Sequence, residues 1–160
     1  MGIKSRTASP VIPRKVFMQQ IPDQVRVLLP PFLQSLRWKA RSHLVQMYYD
    51  DPAVHYEVWP IRKLDVVEVG LHMESRNREL NDFLLRALDP LMFEVRAQLG
   101  PDVELERWSK GWAKLYRLRP WPRFDRDAMR GMATDVAAMI RVVEPMVREA
   151  LYKRSLPLPD

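Results

Sequence analysis

Apolar residues recur at two periods along the chain, and the switches between them predict its elements. Leu33, Leu36, Ala40, Leu44 and Met47 fall three and four residues apart behind Pro30-Pro31, a pair that suits a first helical turn. This spacing predicts a helix through about Tyr49, ended by Asp50-Asp51-Pro52. Strict alternation follows. In His55-Tyr56-Glu57-Val58-Trp59, Tyr56 and Val58 form the apolar set. From Val66 to Glu74, Val67, Val69, Leu71 and Met73 face one way, and Glu68, Gly70, His72 and Glu74 face the other. The two stretches read as a hairpin. One register sets His55 opposite His72 and Glu57 opposite Gly70; another sets Glu57 opposite Glu68, a like-charge pair. The first is favoured.

Helical spacing returns at Leu80, Phe83, Leu84, Ala87, Leu88, Leu91, Val95 and Leu99. Asn77 or Ser75 caps this second helix, Pro90 kinks or restarts it, and Gly100-Pro101 stops it. A second hairpin is predicted at 103–108 and 112–118 around the turn Ser109-Lys110-Gly111. Asp125 then caps a last helix with the stripe Met129, Met132, Val136, Met139, Ile140, Val143, Val147 and Leu151, which Pro145 should interrupt. Residues 1–22, with Pro10, Pro13 and Pro22 and several basic residues, read as a partly irregular arm. Its second half can pack on the body through Ile12, Val16, Phe17, Met18 and Ile21. Residues 155–160 read as an extended tail, leaving 23–154 as the domain.

The halves also resemble each other. Leu84 to Met92 matches Met139 to Val147 in residue class, with Arg, acid and Pro aligned, and Tyr56-Glu57-Val58-Trp59 matches Leu105-Glu106-Arg107-Trp108. A ββα unit used twice gives an α+β fold: a four-stranded antiparallel sheet with three helices packed on one face.

A length of 160 residues, 47% hydrophobic and 29% charged, fits one globular domain. The absence of cysteine excludes disulfides, a thiol nucleophile and cysteine-held metal. No apolar stretch is long enough to span a bilayer and residues 1–15 have no secretory core, so a cytoplasmic location is the default expectation. The net charge of +6 is uneven. Residues 1–49 hold eight Lys/Arg against Asp23 alone, residues 50–106 hold thirteen acids against six Lys/Arg, and residues 107–160 are basic again. Basic ends and an acidic middle suit self-association.

Strand parity gathers the candidate chemistry on the sheet face away from the helices. His55, Glu57, Trp59, Glu68, His72 and Glu74 share that face with Glu106 and Trp108. Carboxylates with amphipathic indoles describe a binding face for a ligand or a second copy. The leading expectation is therefore a non-catalytic binding module that forms a homo-oligomer or binds a small ligand there, with no metal or cofactor assigned. A nucleic-acid accessory protein is the alternative. It would use the basic arm (Lys4, Arg6, Arg14, Lys15) and Arg117, Arg119, Trp121, Arg123 and Arg126, where cations interleave with aromatics. An enzyme is the second alternative. Two histidines with Glu57, Glu68 or Glu74 offer zinc, iron or manganese ligands, and His72 could act as a general base. Nucleophile elbows, zinc-protease helices and phosphate loops leave no trace in the sequence; the glycines, at 2, 70, 100, 111 and 131, are scattered. His43, on the predicted first helix, has no evident partner.

Overall fold

The computed structural model describes residues 7–157. Among these, six strands form one antiparallel sheet in the order β1-β2-β3-β4-β6-β5. They are β1 (Arg37–Ala40), β2 (Val45–Tyr48), β3 (Val54–Ile61), β4 (Val66–Met73), β5 (Glu104–Trp108) and β6 (Trp112–Pro120). The helices are α1 (Arg14–Leu28), α2 (Arg78–Leu88), α3 (Met92–Leu99) and α4 (Arg126–Ser155). Taken as α1, the broken pair α2–α3, and α4, they make three helical units. These share a single core with Val45, Met47, Tyr56, Val58, Val67, Val69, Leu71, Met73, Ala113 and Leu115 from the inner face of the sheet. The α+β class with helices on one side is as the patterning predicts; the sheet has six strands rather than four.

The two extra strands replace the predicted first helix. Residues 37–40 and 45–48 pair as a hairpin, closed by the Arg41 amide donating to the Leu44 carbonyl, and Val45, Gln46 and Met47 pair with Val58, Glu57 and Tyr56. The residues at helical spacing are apolar for other reasons. Leu33 sits in a short 3-10 turn, Leu36 is buried just before β1, and Met47 alternates with Val45 on the inner face. Pairing against the long β3 outweighs a local pattern that fits a helix equally well. His43 falls in the exposed β1–β2 turn.

Residues 14–22, expected within a partly irregular arm whose second half packs on the body, belong to α1. Phe17, Met18, Ile21 and Val25 are fully buried along one side, and this packing holds the helix across Pro22. Pro145 likewise leaves α4 unbroken: Ile140, Val143 and Val147 anchor the turns on either side. Pro90 behaves as predicted, opening the 3-10 turn that separates α2 from α3. Asn77 and Asp125 cap α2 and α4, accepting from the amides of Glu79 and Ala128. Ser155, expected at the start of the tail, closes α4.

Candidate functional site

The favoured register is the one observed. His55 lies opposite His72, Glu57 opposite Gly70, and Trp59 opposite Glu68. On its other side β4 pairs with β6, which sets Lys114 opposite His72 and Tyr116 opposite Gly70. From β5, Glu106 faces Lys114 and Trp108 faces Trp112. Parity therefore places His55, Glu57, Trp59, Glu68, His72, Glu106 and Trp108 on the outer face, with Glu74 one residue past the end of β4.

Outer-face residues were expected to be open to solvent, and four of them are not. His72 is fully buried, and His55, Glu57 and Glu68 are no more than 5% exposed. No helix covers them; side chains on the same face do. Trp108 packs edge-on against His72 with ring centroids 5.6 Å apart, and Trp112 lies 5.4 Å from Trp108. The Lys114 ammonium sits 5.0 Å from the Trp108 ring and 4.2 Å from that of Tyr116. Trp59, Trp108, Trp112 and Tyr116 remain half-buried and form the surface of this layer. Gly70 marks its tightest point, because a Cβ there would stand 2.6 Å from both the Leu115 carbonyl oxygen and the Tyr116 Cβ.

Beneath the aromatics runs a charged chain. His72 Nε2 donates to Glu68 Oε1 at 2.8 Å and Nδ1 to Glu74 Oε1 at 3.0 Å. Lys114 Nζ donates to Glu68 Oε2 at 2.8 Å and approaches Glu106 Oε1 at 3.9 Å. Glu57 stands between both imidazoles, 3.9 Å from His72 Nδ1 and 3.3 Å from His55 Nε2, and accepts from Gln46 Nε2 at 2.8 Å. Burial alone would lower the His72 pKa, but hydrogen bonds to Glu68 and Glu74 and the charge of Glu57 push it up to about 9. With both ring nitrogens donating to carboxylates, His72 is an imidazolium here, not a poised base. Burial raises Glu57 and Glu68, yet His55, His72 and Gln46 hold the first, and His72 and Lys114 the second, below the usual carboxylate range.

Two atoms in this layer stand apart. Among the described residues, His55 Nε2 and Trp108 Nε1 are the buried side-chain polar atoms with no hydrogen-bond partner. The other His55 nitrogen, Nδ1, donates to the Pro52 carbonyl at 2.8 Å, so the unpartnered Nε2 is aimed at the cluster.

Gln46 and Lys114 complete the site and were not among the predicted residues. Lys114 shared a parity with Trp112 and Tyr116 in the sequence, but only the β4–β6 pairing brings it to Glu68. Gln46 was hidden in the supposed helix.

Residues proposed for nucleic acid are differently placed. Arg117 and Arg119 lie on the inner face, paired with Val69 and Val67. Arg117 is buried and donates to Asp102 and to the Leu99 carbonyl; Arg119 grips Asp135 with two bonds of 2.7 and 2.9 Å. Trp121 packs on Phe124 at 5.3 Å under the Arg14 guanidinium. Arg123 and Arg126 are exposed. Lys4 and Arg6 lie outside the described residues.

No family model, curated protein or solved structure matches the chain.

Proposed function

We propose that this protein is a non-catalytic binding module whose outer sheet face docks a second copy of the chain. The observation that carries this reading is the charge layout across that face. One end carries the exposed Arg37 and Lys39 of β1, the other the exposed Glu104 and Glu106 of β5, and half-buried Trp59, Trp108, Trp112 and Tyr116 lie between them. Two such faces stacked about a twofold axis parallel to the strands set the β1 end of each copy over the β5 end of the other. Opposite charges then meet at both rims around an aromatic centre, the arrangement of a self-complementary interface. The helix-free side of an antiparallel sheet is also where cover from another chain is geometrically free.

The test is light scattering on the purified full chain with charge exchange. The wild type is expected to form dimers that weaken with salt. Lys39→Glu is expected to shift the population to monomer, and adding Glu106→Lys to the same chain to restore it. A wild type that stays monomeric up to its solubility limit overturns the proposal, as does a dimer indifferent to both changes.

A further inference from the structure

We propose that His55, His72 and Glu74 form a binding site for a first-row transition-metal dication of the zinc class. The donors converge. One ring nitrogen each of His55 and His72 and a carboxylate oxygen of Glu74 all lie within 4.8 Å of one another. Tetrahedral zinc with bonds of about 2.0–2.2 Å separates its ligand atoms by roughly 3.4 Å. His72 Nδ1 and Glu74 Oε1 are 3.0 Å apart, close to the required edge.

Both imidazoles are held from behind as metal ligands are. A ligating histidine usually donates its remote N–H to a carbonyl or carboxylate, which fixes the ring and the tautomer. His55 Nδ1 is held by the Pro52 carbonyl at 2.8 Å, and His72 Nε2 by Glu68 at 2.8 Å, itself anchored by Lys114. Each ring presents its remaining nitrogen to the same point. On His55 that nitrogen is buried and has no hydrogen-bond partner, an arrangement a buried polar atom rarely tolerates without an occupant.

Ligand chemistry leads the same way. Two imidazoles with carboxylates select zinc-class ions over magnesium or calcium, which take oxygen ligands. Glu74, the most exposed of the three, gives the route of entry. The ion would tie β3 to β4 through its ligands. It would brace the face whether or not a second copy docks there.

The experiment is zinc titration of the chelator-stripped full chain, followed by calorimetry and elemental analysis, with cobalt as the spectroscopic probe. The expected result is one ion per chain, reversed by chelator, with a rise in melting temperature. His55→Ala and Glu74→Gln are each expected to weaken uptake by about tenfold or more. His43→Ala, in the exposed β1–β2 turn, is expected to leave it unchanged. Glu74 is partly exposed, so its variant serves if the His55 variant does not fold. A folded wild type that takes up no stoichiometric zinc overturns the proposal. So does uptake that survives Glu74→Gln but is lost in His43→Ala. Ion count per chain is read separately from molecular mass, so the result does not depend on dimer formation.

Discussion

The two faces of the central strands β3, β4 and β6 are almost equally buried and are built on opposite principles. On the inner face, Tyr56, Val58, Val69, Leu71 and Leu115 are covered by the helices and held by close packing. On the outer face, His55, Glu57, Glu68, His72 and Lys114 are buried beside neighbouring aromatic side chains and held by charge-assisted hydrogen bonds. The inner layer tolerates imperfect partners because apolar contact is non-directional. The outer one does not, because each charge removed strands another in a poorly hydrated place. Alternation along a strand thus shows which residues share a face but not whether that face is wet.

Substitutions separate the two principles. Glu68→Ala should have the largest effect, since it leaves Lys114 and His72 without their shared carboxylate; a loss of about 3–5 kcal/mol in chemical denaturation is expected. A loss under about 1 kcal/mol would show that water screens this layer after all. Leu71→Ala, at the same depth on the inner face, should cost about 2–5 kcal/mol through the cavity it opens, with little dependence on salt or pH. Gly70→Ala should cost about 1–3 kcal/mol, because the added methyl meets backbone and Tyr116 Cβ atoms that cannot swing away.

The smallest and most gradual effect is on pH dependence, measured with chelator present. His72 has its pKa raised to about 9, so its contribution is complete below its unfolded value of 6.5 and fades as pH climbs through 9. Glu57 and Glu68 are held below 4.5, so theirs is present above that value and is lost as pH falls through their folded values. Denaturation midpoints should therefore decline on both sides of a plateau between roughly pH 5 and 6.5. His72→Leu should flatten the alkaline limb and also shrink the acid limb, because His72 helps to hold Glu57 and Glu68 low; an unchanged alkaline limb would refute the imidazolium assignment.

What could be read from the sequence follows from element length. β4 alternates over eight residues, enough to fix its faces, and the like-charge clash of Glu57 with Glu68 was enough to choose the register. β1 and β2 have four residues each, too few to display a period of two, and their leucines and methionine coincided with helical spacing. α1 was obscured by Pro13 and Pro22, which argue locally against a helix that only its buried stripe sustains. The histidines and acids of the site were legible because they share one hairpin. Lys114 became part of it only through pairing between strands far apart in the chain, which no local pattern encodes.

One feature of the helix layer bears on how the chain matures. Arg141 of α4 donates to the Leu28 carbonyl at the end of α1, a contact spanning 113 residues. On a ribosome, the part of the sheet that α4 covers would therefore stay bare, beside α1, α2 and α3, until α4 emerges from the exit tunnel. Such late, long-range closure makes for slow folding and an interval of vulnerability to aggregation, one that a holding chaperone would shorten.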